Sequence, residues 1–208
     1  MLQTSVNCHN PDEHVVIEPA ILYFGTPIAL VSTLNPDGTP NLAPMSSAWA
    51  LGTSVVLGLG RAGQTGLNIE RTAELVINLP SDNLWAAVER LAPLTGRNPV
   101  PESKSAQFRY EPRKFEAAGL TPQPADLVGP PRVKECPLQL EATAAAVHRG
   151  QEGFLIVEAK VHRVHAARSL VRAGTSHVDT SVWRPLIYTF RHYFTTGERL
   201  GKTFRAEY

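Results

Sequence analysis

A chain of 208 residues with 43% hydrophobic content is long enough for one domain with a real core, or at most two. Lys+Arg 20 against Asp+Glu 19 leave a net charge of +1 with no basic stripe, so no nucleic acid is expected as a partner. Charged residues make up 19%, below the roughly 25% typical of soluble domains, so part of the surface is expected to be buried against a partner, most simply a second copy.

Cys8 and Cys136 fit no metal-spaced or C-x-x-C pattern, which suits a reduced, cytoplasmic protein. The N-terminal "MLQTSVNCHNPDEH" shows no basic-then-apolar leader. No apolar run approaches the ~20 residues needed to cross a membrane, so no membrane is expected.

Residues 1–19 read as an irregular arm, and residues 20–208 as one domain. "AILYFGTPIALVSTL" gives two apolar pieces broken at Gly25–Thr26–Pro27, and Ile28–Leu34 is rich in strand formers. "NPDGTP" predicts a reversal, with Pro36 presetting φ and Gly38 supplying a positive φ. Asn41–Ala50 returns as a weak strand, and "TSVVLGLG" is another. "GQTGLNIERTAEL" has helix character, with Leu67, Ile69, Thr72 and Ala73 facing inward and Gln64 or Thr65 as the cap.

"LVINL" is a short strand, and "SDNLWAAVERLAPLTG" a helix capped by Ser81 with Leu84, Ala87, Val88 and Leu91 on one face. Residues 93–137 are proline-rich without periodic runs; a segment of that length usually covers something. A hairpin follows, turning near Arg149–Gly153, with Leu155, Val157, Ala159, Val161 and Val164 roughly alternating. "RPLIYTFRHYFTTGERLGKTFRAEY" adds one more strand and a polar, aromatic tail. Short connections imply antiparallel pairing, hence a mostly β barrel with helices outside.

"GLGRAG" at Gly58–Gly63 fits G-x-G-x-x-G after a strand and before a helix, with Asp82 near the place of a ribose-binding acid. A hairpin precedes it and antiparallel β follows, which argues against a dinucleotide fold. The local chemistry survives that rejection, because N–H groups at a glycine turn entering a helix bind phosphate in any fold. His162 and His165 lie three apart on a strand, pointing to opposite faces, and no acid or Cys beside them in sequence completes a site, so no metal is expected. Cys136 reads as structural, and Trp49, Trp85 and Trp183 as core or interface anchors.

"IALVSTLNPDGTPNLAPMSSAWALG" resembles the opening of the flavin reductase-like, FMN-binding split-barrel family. Four further pieces fall in that family's order: "TGLNIERTAELVINL", "KFEAAGLTPQPADLVGPPRVKECPLQLEA", "EGFLIVEAKVHRVH" and "RPLIYTFRHYFTTGERLG", together spanning roughly residues 20–201. The resemblance implies a split β-barrel, a homodimer, and FMN (or FAD) near the dimer interface, with residues 93–137 covering the neighbour or the site. It implies hydride transfer from NADH or NADPH to flavin, in some cases for a partner oxygenase. The alternative within the family is a non-catalytic flavoprotein that carries FMN or electrons for a partner enzyme.

By position, Asn41, Leu42, Ala43, Pro44, Met45, Ser46 and Ser47 match the segment that runs along the flavin. Arg61, Gln64, Thr65 and Asn68 match the phosphate side, and His192, Tyr193 and Phe194 the C-terminal segment near the isoalloxazine or the interface. The family often places a basic and then an acidic residue where Gly63 and Gln64 stand, so charge at the phosphate is expected from Arg61, backbone N–H groups or the partner subunit.

These residue types suit the chemistry. A flat ring needs close backbone approach, which small side chains permit, and hydride transfer needs positioning more than an obligatory acid or base; no catalytic side chain is expected. Plainer roles stand beside each assignment: Ser46 and Ser47 as strand-end residues, Asn68 on a solvated helix face, Thr65 as an N-cap, Arg61 as a surface charge.

Overall fold

The computed structural model describes residues 14–150 and 153–204. Most of the expected arm, residues 1–13, lies outside the described residues, as does Cys8; residues 14–19 are exposed and form no helix or strand.

In chain order the elements are β1 (Phe24–Pro27), β2 (Ala29–Leu34), β3 (Pro40–Met45), β4 (Ala48–Leu51), β5 (Ser54–Gly60), α1 (Gln64–Thr72), β6 (Glu74–Leu79) and α2 (Trp85–Leu91). Short pieces follow: β7 (Leu94–Thr95), β8 (Arg109–Tyr110), α3 (Lys114–Ala118), β9 (Pro122–Gln123) and β10 (Arg132–Val133). The long hairpin β11 (Leu138–Arg149) and β12 (Phe154–Ala166) precedes β13 (Ile187–Thr189) and β14 (His192–Phe194).

Seven strands pair in the order β3-β2-β6-β11-β12-β5-β4, every neighbour antiparallel. The two outermost strands are joined only by Ser46–Ser47, so the sheet must curl back on itself, and the Gly58 N–H donates to Ser47 O at 2.8 Å beside that joint. The result is a mostly β split barrel, with β1, β13 and β14 forming a small second sheet. β5 and β6 flank α1 but lie far apart in this antiparallel order, so "GLGRAG" does not open a parallel βαβ unit. Asp82 instead accepts from Arg184 Nε at 2.8 Å.

Two cores meet at β2. Ala29 and Val31 point into the barrel with Leu57, Leu75, Ile77, Leu155, Val157 and Ile69 of α1. Ile28 and Leu30 point outward, against Val88 and Leu91 of α2 and Phe115 and Ala118 of α3. Burial on both faces explains the unbroken apolar run Ile28–Val31 where alternation would mark a half-exposed strand. Each fully buried aliphatic side chain contributes about 1.5–3 kcal/mol, so α2 is held by its one apolar face more than by local propensity.

The "NPDGTP" reversal forms as expected: Gly38 has φ +82°, its N–H reaches Asn35 O at 3.0 Å, and Asp37 accepts from Thr39. The caps differ. Neither Gln64 nor Thr65 caps α1; extended Gly63 holds the N-cap without a side-chain bond. Ser81 makes no capping bond either, and its helix begins as a 3-10 turn over Asp82–Leu84 before becoming α-helical at Trp85. On α1, Ile69 is buried while Leu67, Thr72 and Ala73 are only half-buried; Asn68 takes an inward place instead.

The segment 93–137 is not loose. Phe115, Ala118, Leu120, Val133 and Cys136 are buried in the outer core. Asn78 Oδ1 accepts from the Val133 N–H at 2.8 Å, and Glu74 accepts from the Gly129 N–H at 3.0 Å, pinning the segment to β6. Trp49 and Trp85 are more than half exposed, so neither is a core anchor in the single chain, and Trp183 is half-buried. Among the described residues no helix is long and apolar enough to cross a membrane.

Candidate functional site

A cleft of ≈ 320 Å³ opens between β3, the turn from β5 into α1, α2 and the segment 93–137. Ala43, Pro44, Met45 and Ser46 line it in succession. Side chains of a strand alternate between faces, so consecutive residues can share one cleft only if it runs along the strand's open edge. Among the described residues β3 pairs with β2 alone, and Pro44 is tolerable there because an edge strand needs no donor on its free side.

The far wall is Gly60, Gly63, Gln64 and Thr65. Because Gly63 caps α1 without a side chain, the first-turn N–H groups of the helix have no intrahelical partner, and the end carries the positive pole of the helix dipole. Beneath this end sits a buried polar network. Asn41 Nδ2 donates to Thr65 Oγ1 at 3.0 Å and to Thr33 Oγ1 at 3.2 Å. Asn68 Nδ2 donates to Thr33 Oγ1 and to Asn35 Oδ1, both at 3.0 Å, while Asn68 Oδ1 accepts from Gln64 Nε2 at 2.9 Å. Asn41 Oδ1 is buried and unpaired.

The structure therefore sorts the candidate residues. Ala43, Pro44, Met45, Ser46, Gln64, Thr65 and Tyr193 line the cleft. Asn41 and Asn68 are each 1% exposed and stand behind it, holding Thr65 and Gln64. The Leu42 side chain is in the outer core. Ser47 donates to the Tyr23 hydroxyl at 3.2 Å. Arg61 is exposed and outside the lining, as is His192, whose Nδ1 lies 3.0 Å from Phe190 O. Phe194 is likewise exposed, on the other side of Tyr193.

Sequence reasoning missed the cleft's roof. Lys104, Phe108 and Lys114 line it, all from the proline-rich segment. Lys104 Nζ lies 5.3 Å from the Phe108 ring centroid, over its face, and would be 3.5 Å from a Cβ on Gly63. Lys114 is 4% exposed. Burial, and second the charge of Lys104, hold its ammonium pKa down at about 8, and burial also lowers that of Lys104. The one available signal was indirect: "GQT" carries no charged residue, so a cation on this wall can come only from Arg61 or from outside the motif.

Tyr188 and Tyr193 close the cleft's other end, their ring centroids 5.7 Å apart. The Tyr193 hydroxyl donates to Glu89 at 2.8 Å, and burial together with that carboxylate pushes its pKa up. Among the described residues no carboxylate and no histidine lines the cleft, so it offers cations, hydroxyls and aromatic faces.

The histidines need one correction. His165 does have acidic neighbours: its ligand atom and those of Asp126 and Glu141 lie within 4.8 Å of one another. Glu141 is nonetheless engaged, accepting from the Asp126 and Leu127 N–H groups at 2.9 and 2.6 Å and lying 2.6 Å from His165 Nε2. It anchors the segment 93–137 to β11. His162 is exposed, 2.7 Å from Thr143 Oγ1. Cys136 is buried, which pushes its thiol pKa far up and leaves it inert.

Known proteins share this architecture. A Bacillus subtilis (strain 168) protein, "Uncharacterized protein YdfE", is 46% identical over 194 residues, covering 92% of this chain and 93% of its own. Flavoredoxin of Desulfovibrio vulgaris (Miyazaki F) superposes with a TM-score of 0.76 at 24% identity, over 93% of this chain and 98% of that one. Nitrilotriacetate monooxygenase component B from Bacillus cereus gives 0.70 at 20% identity, over 96% and 100%. The family model described as "Flavin reductase like domain" matches residues 21–197, and the chain belongs to that family.

Proposed function

We propose that the chain binds FMN in this cleft and acts as an NAD(P)H-dependent flavin reductase, as a homodimer in the cytoplasm. The observation that carries the reading is the composition of the cleft in a chain of this family: small residues along a free strand edge, a helix N-terminus, two lysines and no acid. A volume of ≈ 320 Å³ falls within the roughly 300–1,000 Å³ usual for cofactor sites.

Residues Ala43–Ser46 would lie along the ring system, with backbone groups of the edge strand as hydrogen-bond partners. Gln64, Thr65 and the N–H groups of α1 would face the phosphate end. Bound flavin supplies the hydride acceptor; the protein supplies orientation and excludes water. Tyr188 and Tyr193 fit the role of aromatic walls at the ring end. Trp49 and Leu51 on β4, with Phe154 and Ile156 on β12, are exposed apolar groups suited to contact with a second copy.

A second reading has its own support. The similarity to a flavoredoxin favours a carrier that holds FMN and passes electrons to a partner. The similarity to component B of a monooxygenase favours a reductase serving an oxygenase. One experiment separates catalysis from carriage: load the protein with FMN and add NADH or NADPH without air. Bleaching at a catalytic rate supports the reductase. A yellow protein that neither nucleotide bleaches defeats it and leaves the carrier. A protein with no affinity for FMN or FAD defeats both.

A further inference from the structure

Lys114 is the most unusual ionisable group lining the cleft. Its side chain is almost wholly buried, it lines the cleft, and no hydrogen-bond or ion-pair partner accompanies it among the described residues. Burying an ammonium without a counter-ion is strongly unfavourable. Lys104 raises the cost further, since it faces the same space and repels it. The open N–H groups at the start of α1 add a third positive pole beside Lys104. Three convergent positive groups with no acid in the lining describe a site for a compact, doubly charged anion. Arg61, the cation expected from sequence, is turned to solvent.

We propose that Lys104 and Lys114 clamp a phosphomonoester dianion, and that this clamp makes the cleft select FMN over riboflavin and over FAD. The proposal rests on the flavin reading of the cleft. A phosphomonoester carries about −1.5 to −2 charge near neutral pH on three acceptor oxygens, which matches two ammonium groups and a helix end. Riboflavin has no such group and would leave Lys114 buried and unpaired. The diphosphate of FAD spreads its two charges over two phosphates and continues into a nucleoside, so the clamp meets one charge where FMN brings two. Phe108 holds Lys104 over its ring face, so Lys104 is positioned before any ligand arrives.

The test is calorimetric titration of the flavin-free protein with FMN, riboflavin, FAD, NADH and NADPH, for the wild type and for Lys114→Met, Lys104→Gln and Arg113→Gln. Arg113 is exposed, paired with Glu116, and serves as the charge control. Charge-assisted hydrogen bonds of about 1.5–3 kcal/mol correspond to roughly 10–150-fold in affinity, so each lysine variant should lose FMN affinity by that factor. Riboflavin should bind the wild type weakly and bind the lysine variants no worse than the wild type. Arg113→Gln should leave FMN unchanged, and thermal melts establish that each variant is folded. If Lys114→Met does not fold, Lys104→Gln, on a half-exposed residue, decides the matter alone.

Parallel loss of FMN and riboflavin, or no loss of FMN, overturns the clamp while leaving the flavin site standing. Loss of NADPH but not NADH affinity, with FMN unchanged, also overturns it and assigns the lysines to a nucleotide 2′-phosphate. A wild type that binds no flavin at all overturns the flavin reading and the clamp with it.

Discussion

Asn41 Nδ2 donates to Thr65 Oγ1 at 3.0 Å, tying the edge strand β3 to the first turn of α1. A hydroxyl that accepts on one side keeps its own proton to give, so this bond leaves Thr65 a donor to the cleft. Both partners are buried, so the pair ties the strand wall of the cleft to its helical wall.

Asn41→Ala should separate these two walls. It removes donors to Thr65 and Thr33, and an unsatisfied buried group costs about 1–3 kcal/mol. Denaturant unfolding should show a loss of that size, and FMN affinity should fall with it. Thr65→Val should weaken FMN with a smaller loss of stability. Equal effects of the two variants on both measurements would refute the separation.

Ala43→Phe should abolish flavin binding and leave the fold. Ala43 lines the cleft and is only half-buried, so a larger ring there fills the cleft and spares the core. Circular dichroism should be unchanged, and the purified protein should be colourless. Normal FMN binding by this variant would place the ring elsewhere.

Lys114 predicts an alkaline gain in the stability of the empty protein. Its pKa is held at about 8 in the fold against 10.5 as the ordinary value. Below about 8 folded and unfolded chains both hold the proton, and the burial penalty is present in full. Between about 8 and 10.5 the unfolded chain binds more protons, so stability rises with pH there. The rise is on the order of 3 kcal/mol, and Lys114→Met should remove it. FMN affinity should run the other way. It needs a dianionic phosphate, present above about pH 6, and a charged Lys114, so it should peak between about 6 and 8 and decline above. Urea midpoints and titrations across pH 5–10 give both profiles.

Glu141 predicts an acid-labile segment. Burial alone would raise its carboxyl pKa, but two backbone N–H donors and His165 more than offset that and hold it low. The stabilisation is complete above the unfolded value of about 4.3 and is lost as pH falls through the lower folded value. Glu141→Leu leaves two backbone donors and His165 without their acceptor, and should cost roughly 1–3 kcal/mol. Proteolysis should then cut first within residues 120–135, and a global, unlocalised loss would refute the anchoring role.

The parts of the fold that were legible in the sequence are those fixed by neighbours along the chain. Pro36, Asp37 and Gly38 make their turn with bonds that span only a few residues, and the β11–β12 hairpin carries its own alternation. The segment 93–137 was opaque because its order is borrowed: Val133 depends on Asn78, Gly129 on Glu74, and Asp126 on Glu141. The caps of α1 and α2 failed for the reverse reason. Thr65 had the right chemistry for a cap, but Asn41 from another strand claims its hydroxyl. Lys104 and Lys114 were invisible because lysine is almost never buried, so nothing in "ESKS" or "PRKF" sets them apart from surface residues. The edge strand was readable in a weaker way, through Pro40 and Pro44, which no central strand would carry.

That edge has a consequence for the empty protein. A strand with an open side is a template for pairing with another chain, and proteins usually blunt it with proline or charge. β3 carries two prolines but no charged residue, so its guard is incomplete. A flat aromatic ligand laid along it would serve as a removable cover. Chains made where that ligand is scarce should then stick to one another through β3, and solubility during production should track the supply of flavin.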